Sequence, residues 1–286
     1  MNQDIFSKKK TTINCRGKLI STEKPLVMGI LNITHDSFFD GGKYLTEKEW
    51  LAQTAQMLED GANMIDIGGV STRPGSASVN DKDELTNILK VLTSVRKHFP
   101  QTIISIDTFR SIVARAAVDN GADIINDISG GTMDKKMFAT IAELKVPYVL
   151  MHIQGTPENM QQNPTYSDVV KNIIHFLSEK INELHKLGVN DIIIDPGFGF
   201  GKTLKHNYEI LNKLDLFSLF DLPLLVGFSR KSMICKALHV KPEEALNGTT
   251  VLNTIALLKG AKILRVHDVK QAVETVKIYE LMNQSN

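Results

Sequence analysis

The stretch TIISIDTFRSIVARAAVDNGADIIND, residues 102–127, decides the fold, because two short apolar runs in it flank a segment with a helical pattern. The runs are TIISI at 102–106 and ADIIN at 122–126, and neither alternates between apolar and polar residues as a half-exposed strand would. Continuous apolarity is typical of strands that are buried on both faces of a parallel sheet. The stretch therefore predicts one strand–helix–strand unit of an α/β protein.

The same unit recurs along the chain. Helical periodicity separates the runs, and Asp268 is predicted to cap the helix that closes the series. Eight strand–helix units without a break in composition predict a single-domain TIM (β/α)8 barrel over residues 25–283, with an open doubly wound sheet as the alternative. The six further runs are PLVMGIL (25–31), NMIDI (63–67), VPYVLM (146–151), DIIID (191–195), LPLLVG (222–227) and AKILRV (261–266).

Residues 1–24 precede the first barrel strand and form an N-terminal extension. Within it, TTINCRGKLIST at 11–22 is typical of a short hairpin that turns at Arg16 and Gly17. We expect this hairpin to close the bottom of the barrel.

Composition narrows the class of partner. The 286 residues include 33 Lys and Arg against 32 Asp and Glu, so no global positive field attracts nucleic acid or an anionic membrane. We find no secretory signal and no run of about 18 apolar residues, and therefore expect a cytoplasmic enzyme with small-molecule partners. The two cysteines, Cys15 and Cys235, have neither the spacing of a zinc site nor that of a disulfide scaffold.

Polar residues follow every predicted strand. In a TIM barrel the carboxyl ends of the strands carry the active site, so these positions are the candidates for chemistry. They include Asn32 and Asp40 after the first strand, Arg73 after the second, Asp107 after the third, Asn126 after the fourth, Met151 and His152 after the fifth, Asp195 after the sixth, Lys231 after the seventh, and Arg265 and His267 after the eighth.

Cations at three different strand ends indicate an anion site. Beside Asn32 and His267, they suit a phosphate or diphosphate group. Taken one at a time, each of them is better interpreted as a surface charge, and only the joint pattern favours the anion site. The three cations are Arg73, Lys231 and Arg265.

Two carboxylates and an amide at neighbouring strand ends, Asp107, Asp195 and Asn126, suit a flat heterocycle rich in hydrogen-bond donors. Each also has a structural alternative. The two aspartates could cap the helices that follow them, and Asn126 could be a turn residue. His152 could be an inner histidine whose hydrogen bonds are satisfied within the protein.

The glycine-rich run DPGFGFGKT, residues 195–203, does not match a nucleotide-binding loop, because only three residues separate Gly197 from Gly201. Its glycines either allow the backbone and Phe200 to approach a flat ligand or make a tight turn.

These segments, taken in order, resemble the dihydropteroate synthases. The resemblance rests on MGILNITHDSFFDGG, DIGGVSTRPGS, SIDTFR, NDISGG, MHIQGTP, DPGFGFGK, GFSRKSMI and RVHDV, which run from position 28 to 268. It implies an enzyme that condenses 6-hydroxymethyl-7,8-dihydropterin diphosphate with 4-aminobenzoate, assisted by Mg²⁺, and that forms a homodimer through its last helices.

The resemblance also implies residue roles. Asp40, Arg73 and Lys231 are the expected catalytic residues, and Asn32 is expected beside Mg²⁺. The pterin ligands are then Asp107, Asn126, Met151, Asp195, Lys231 and Arg265; the diphosphate ligands are Asn32, Arg73, Arg265 and His267; and the 4-aminobenzoate contacts are Phe38, Thr72, Pro74, Phe200 and Ser232.

Three residues depart from the family pattern: His35 replaces a usual proline, Phe39 a small residue and Val70 a glutamate. Two rival functions remain, namely a methyltetrahydrofolate:corrinoid methyltransferase and a non-catalytic pterin-binding protein. The segments STRPG and SRKS favour the synthase, and none of the expected pterin or diphosphate ligands is missing.

Overall fold

The computed structural model describes residues 11–33, 46–69 and 80–284. Within these ranges, every strand from the third onward is followed by at least one α-helix. The strands are β1 (Thr12–Cys15), β2 (Lys18–Ser21), β3 (Leu26–Asn32), β4 (Met64–Gly68), β5 (Ile103–Asp107), β6 (Ile124–Asp127), β7 (Tyr148–Met151), β8 (Ile192–Asp195), β9 (Leu225–Val226) and β10 (Ile263–Val266).

The helices lie outside the sheet. Two short 3-10 helices, Leu214–Phe220 and Pro242–Glu244, also occur. The α-helices are α1 (Glu47–Glu59), α2 (Asp81–His98), α3 (Ser111–Asp119), α4 (Met137–Leu144), α5 (Val169–Lys186), α6 (Leu204–Asn212), α7 (Ser232–Leu238), α8 (Leu246–Leu258) and α9 (Val269–Gln284).

The large sheet is parallel and curls into a barrel. Its strand order is β8-β7-β6-β5-β4-β3-β10-β9. The two end strands meet, because Ile194 pairs in parallel with Leu224 and its N–H donates to the carbonyl of Pro223 at 3.0 Å. This closure confirms the predicted TIM barrel, and the open doubly wound alternative was wrong.

The seventh barrel strand is shorter than predicted, since the run at 222–227 contributes only the two residues of β9. Pro223 lies in that run and has no N–H to donate to a neighbouring strand. Its carbonyl nevertheless accepts the hydrogen bond from Ile194 that closes the barrel.

The lower half of the barrel interior is apolar. Each of the eight barrel strands supplies at least one buried residue to a single cluster there: Met28, Met64, Ile103, Ile124, Val149, Ile193, Leu225 and Ile263. Residues an even number of positions later on a strand share the same face. This alternation directs Asp66, Asp107, Asn126, Asp195 and Arg265 into the upper half of the interior.

The N-terminal hairpin closes the bottom of the barrel, as predicted. β1 and β2 pair antiparallel around Arg16 and Gly17, whose φ angles of 51° and 87° are those of a tight hairpin turn. Ile13 and Cys15 are buried in the apolar cluster of the barrel interior. The backbone N–H of Asn14 donates to the side chain of Asp191 at 3.2 Å.

Helix ends show which local signals the sequence carries. Thr46 and Glu49 form a reciprocal capping box at the start of α1, and Asp168 accepts two backbone N–H groups at the start of α5. Asp268 directly precedes α9, but its carboxylate forms a bidentate ion pair with Arg230, at 2.6 and 3.0 Å.

Among the described residues, no helix combines the length and apolarity that crossing a membrane requires.

Candidate active site

Arg265 lies at the centre of the upper barrel interior, between two carboxylates. Its Nε donates to Oδ2 of Asp66 at 2.7 Å, and its Nη2 donates to Oδ2 of Asp107 at 2.8 Å. These bonds connect β10 with β4 and β5. They fix the plane of the guanidinium group across the mouth of the barrel.

Asn126 joins the same network through its amide. Its Nδ2 donates to Oδ2 of Asp66 at 3.0 Å, and both residues are buried. Because β6 lies beside β5, Asn126 and Asp107 are register partners on neighbouring strands. Sequence analysis placed Asp107, Asn126 and Arg265 at one site, and the structure brings them together.

Asp107 titrates near neutrality. Burial is the largest cause and raises the pKa of this carboxyl to about 7, while the nearby Arg265 opposes the rise. The carboxylates of Asp66, Glu84 and Asp127 raise the pKa further. The raised pKa allows Asp107 to be protonated closer to neutral pH than an exposed carboxyl, and a protonated carboxyl can donate as well as accept a hydrogen bond.

Asp195 lies at the end of β8, across the pocket. It is buried, and its Oδ1 accepts the backbone N–H of Gly197 at 2.7 Å. Burial raises the pKa of Asp195, and the positive charges of Lys231, Lys202 and Arg265 reduce this rise without cancelling it. Helix α6 is capped by Thr203 and α3 follows Arg110, so the helix-capping alternative for the two aspartates was wrong.

Lys231 follows β9 and points back into the barrel mouth. Its Nζ donates to the carbonyl of Phe198 at 2.6 Å and lies 4.7 Å from the ring centre of Phe200. Burial lowers the pKa of Lys231 to about 8, although the neighbouring Asp195 favours its charged form. Lys231 is thus a partly buried cation near a buried carboxylate, and the surface-charge alternative was wrong for Lys231.

The glycines of residues 195–203 make a tight turn. Gly197 and Gly201 have φ angles of 72° and 63°. A Cβ atom at Gly197 would lie 2.0 Å from the carbonyl oxygen of His152, and one at Gly201 would lie 2.4 Å from that of Gln154. Only glycine fits these positions, because the turn packs directly against the backbone that leaves β7.

Sequence analysis missed Lys202, which is buried beneath that turn. Its Nζ donates to the carbonyls of Phe200 and His152 at 2.8 and 3.2 Å and contacts Nδ1 of His152 at 3.1 Å. Burial and this neighbouring charge lower the pKa of His152 to about 2, so its ring is neutral. His152 is a satisfied inner histidine, as the structural alternative had it.

Asp66 was missed as well, because it lies inside the apolar run NMIDI, whereas the sequence-based candidates are residues that follow a strand. A charged residue in the middle of a buried strand is itself a signal, since burial of an unpaired charge is costly.

The remaining described candidates surround this network. Met151 is buried in a small apolar cluster with Ile128 and Ile153, against which Phe200 packs. Asn32 ends β3 beside Gly68 and is partly exposed. The backbone N–H of His267 donates to Oγ of Ser229 at 3.2 Å, and its Nδ1 contacts the same oxygen at 3.0 Å.

A cavity of about 430 Å³ lies beside the mouth of the barrel. Ser232, the first residue of α7, is exposed and lines it together with the buried Lys202. The cavity continues past Thr203 and Asn207 of the turn and α6. The described structure therefore has a cavity between the turn that contains Lys202 and the first turn of α7.

Eight sequence-based candidates lie outside the described residues. They are the predicted site residues Asp40, Arg73, Phe38, Thr72 and Pro74 and the three departures His35, Phe39 and Val70. Their assignments stay predictions.

Comparison with known proteins identifies the family. A family model for pterin binding enzymes matches residues 28–267. The dihydropteroate synthase of Escherichia coli K12 is 42% identical over 267 residues, which cover 93% of this chain and 94% of that protein. The chain belongs to the dihydropteroate synthase family.

Solved structures of dihydropteroate synthases have the same fold. The Yersinia pestis enzyme, in a sulfonamide drug complex, superimposes with a TM-score of 0.91 at 40% identity, over 96% of this chain and all of that one. The Xanthomonas albilineans enzyme with 4-aminobenzoic acid gives a TM-score of 0.88 at 36% identity, over 96% of this chain and 98% of that one. Membership of the dihydropteroate synthases makes this chain a transferase.

Proposed function

We propose that the upper barrel interior binds 6-hydroxymethyl-7,8-dihydropterin diphosphate and joins it to 4-aminobenzoate, giving 7,8-dihydropteroate and diphosphate. The observation that carries this proposal is the polar network at the barrel mouth, where Arg265 is held between Asp66 and Asp107 opposite Asp195 and Lys231. Buried carboxylates without a bound metal or a full set of ion pairs are costly, and a donor-rich ligand offsets that cost.

The pterin is held by its edge. Asp195 accepts from the 2-amino group and the neighbouring ring N–H, which are donors that match a carboxylate. Asp107 and Asn126 serve the opposite side of the heterocycle from adjacent strands. Lys231 donates to its carbonyl side, Arg265 lies against the ring, and Met151 forms the apolar floor.

The diphosphate lies toward the strand ends that carry Asn32 and His267. Arg265 and, from the sequence, Arg73 supply positive charge to it. Contact between Oγ of Ser229 and Nδ1 of His267 at 3.0 Å holds the imidazole at this strand end, where the diphosphate is proposed to lie.

Mg²⁺ fits this arrangement. The described residues contain no group of three or more His, Cys, Asp or Glu side chains that could cage a metal. That composition suits an ion held mainly by substrate phosphates and water with one protein oxygen, here that of Asn32. When bound, Mg²⁺ would neutralise part of the charge on the leaving diphosphate.

The chain's own residues then favour a dissociative reaction. Arg265, Arg73 and His267 stabilise the charge that develops on the departing diphosphate, and Asp40 stabilises the pterin-methyl cation. Lys231 keeps the heterocycle fixed while its exocyclic carbon is attacked by the aniline nitrogen. Turn residues 197–201 exclude water from the buried side of the pterin.

4-Aminobenzoate binds in the neighbouring cavity. Phe200 packs near Lys231 at the boundary with the pterin, and Ser232 offers a hydroxyl to the carboxylate. Phe38, Thr72 and Pro74 complete this subsite on sequence grounds.

Direct assay tests this function. Purified protein, pterin diphosphate, 4-aminobenzoate and Mg²⁺ should yield dihydropteroate and diphosphate in equal amounts, and omission of 4-aminobenzoate should stop dihydropteroate formation. Methyl transfer from methyltetrahydrofolate to a corrinoid would support the rival transferase instead. Pterin binding without any turnover would support the non-catalytic rival.

The finer assignments of assembly and location are proposals too. Helices α8 and α9 pack together and expose Val251, Leu258, Ile278 and Met282, an apolar surface that suits a homodimer interface. Sedimentation of the purified protein would give its mass in solution. A cytoplasmic location agrees with the composition and can be checked by cell fractionation.

A further inference from the structure

Asp66 occupies an unusual position for a charged residue. It is the third residue of the five-residue strand β4 and has no exposed surface. Its Oδ2 accepts from both Nδ2 of Asn126 and Nε of Arg265. Its Oδ1 is buried and accepts no hydrogen bond from any residue that the structure describes. Its register partner on β5 is Ser105, two positions before Asp107.

The contact with Asn126 determines which way that amide faces. A carboxylate only accepts hydrogen bonds, so the NH2 end of Asn126 must face Asp66. The carbonyl end of the amide, and the second N–H, then remain for a ligand in a single orientation. An apolar residue at position 66 would leave two flipped orientations of Asn126 close in energy.

The contact with Arg265 works in the same way. Asp66 accepts from Nε and Asp107 accepts from Nη2, so two carboxylates on neighbouring strands hold two nitrogens of one guanidinium group. Arg265 cannot turn away from the ring position without losing a buried, charge-assisted hydrogen bond.

We propose that Asp66 is the positioning residue of the pterin pocket, which fixes the orientation of Asn126 and Arg265 and, through the bond of Arg265 to Asp107, that of Asp107. It touches no substrate in this proposal and acts through the three residues that do. The inference rests on the proposed assignment of those three residues to the pterin.

Asp66 also acts on Asp107 electrostatically. Groups that face this carboxyl come from every element around it: Arg265 of β10 favours its ionised form, whereas Asp66 of β4, Glu84 of α2 and Asp127 of β6 raise its pKa toward the value of about 7 that burial sets. Removing the charge of Asp66 removes one of the raising contributions. The pKa of Asp107 then falls, and its ionised form persists to lower pH.

The test is pterin affinity as a function of pH, measured by calorimetry on the folded full-length protein. Asp66→Asn keeps the size of the side chain and one accepting oxygen but removes the charge. We expect the change in pterin affinity that accompanies ionisation of Asp107 to occur at lower pH in Asp66→Asn than in the wild type. At pH 8, where Asp107 is ionised in both proteins, affinity should fall about tenfold.

The chain offers a matched control. Ser105 is the register partner of Asp66 on β5, is fully buried, and its Oγ has no hydrogen-bond partner among the described residues. Ser105→Ala therefore removes a polar atom at the same height of the barrel without touching Asn126 or Arg265. It should leave both the affinity and its pH dependence unchanged. Equal behaviour of Asp66→Asn and Ser105→Ala would overturn the proposal.

A swap keeps the proposal testable if a single variant is unstable. Asn126→Asp places two carboxylates against each other and should lower the free energy of unfolding. Adding Asp66→Asn restores an amide–carboxylate hydrogen bond in the reverse direction, so stability should recover while pterin affinity stays low. Failure of the double variant to regain stability would contradict the assigned hydrogen bond, and regained affinity would contradict the orienting role.

The variant Asp195→Asn distinguishes an error in the proposed pterin pocket from an error in the role of Asp66. If Asp195→Asn leaves pterin affinity unchanged, the heterocycle is not bound in this pocket, and the proposed function of these residues fails. If Asp195→Asn abolishes binding while Asp66→Asn behaves as wild type, only the role of Asp66 is wrong.

Discussion

The lower and upper halves of the barrel interior are built from the same eight strands and differ in almost every other respect. The lower half is a closed apolar cluster covered by the N-terminal hairpin. The upper half contains buried carboxylates, an arginine and a lysine. The pKa values of Asp107, Asp195 and Lys231 there differ from those of the exposed groups. On β8, Asp195 lies only two positions after Ile193. The comparison shows that the same strands bury apolar side chains at one end and charged side chains at the other.

The difference has a physical origin. Side chains in the lower half gain free energy from leaving water, at about 25 cal/mol per Å² of apolar surface. Buried charges in the upper half lose hydration, and hydrogen bonds such as that between Arg265 and Asp66 recover only part of it. Stability should therefore depend on the lower half and affinity on the upper half.

The largest expected effect is on stability. Ile193→Ala removes a fully buried side chain from the lower cluster and should lower the free energy of unfolding by about 4 kcal/mol. Pterin affinity of the folded protein should be unchanged. Urea denaturation combined with calorimetry would measure both quantities, and a large loss of affinity would break the division between the two halves.

Asp195→Asn is the matched change in the upper half, on the same face of the same strand. The new NH2 group points at a heterocycle edge that itself donates, so a charged hydrogen bond is lost and a buried donor is left unpaired. Pterin affinity should fall by about 3 kcal/mol or more. The free energy of unfolding should change little or rise, because burial disfavours the ionised carboxylate. Near-normal affinity would remove Asp195 from the pocket.

The sequence predicts the two halves unequally. The eight apolar runs predict the barrel and the lower cluster well, because strand burial depends on local composition. The polar residues after each strand identify Asp107, Asn126, Asp195, Lys231 and Arg265, which the structure brings to one pocket. These residues could be found because the active site of a TIM barrel lies at the carboxyl ends of its strands.

The residues that sequence reasoning missed act through contacts distant in the chain. Lys202 meets His152, fifty positions earlier, and Asp66 meets Arg265, 199 positions later. Neither partner can be inferred from spacing, because the contact exists only once the barrel has closed. Strand β9 is short for a similar reason, since closure uses the carbonyl of Pro223 rather than a regular ladder.

The third prediction concerns the charge of Lys231. Burial lowers its pKa to about 8, so it loses its proton as the pH rises through that value. Pterin affinity should then decrease by up to about tenfold, or 1.4 kcal/mol, per pH unit above 8. Lys231→Arg keeps its charge at all these pH values and should flatten this part of the profile, whatever its affinity at pH 7. A decrease that persists in Lys231→Arg would assign the titration to another group.

The smallest expected effect asks whether the two halves are coupled. Cys15 is buried under the barrel, and burial, with smaller contributions from Asp123 and Asp191, raises the pKa of its thiol to about 12. It can react with iodoacetamide only after the hairpin opens, because the thiolate is the reactive form. In a Cys235→Ala variant, Cys15 is the one remaining thiol of the chain.

A two-stranded hairpin of four-residue strands is marginally stable by itself, so we expect it to open without the barrel unfolding. Saturation with pterin should then leave the labelling rate of Cys15 unchanged, while Ile193→Ala should increase it, since Ile193 belongs to the cluster that the hairpin covers. If the hairpin opened only together with the barrel, pterin at one hundred times its Kd would slow labelling about a hundredfold. Such protection would show that ligand binding in the upper half stabilises the lower half. The two halves would then differ in the roles of their side chains but would still unfold as one cooperative unit.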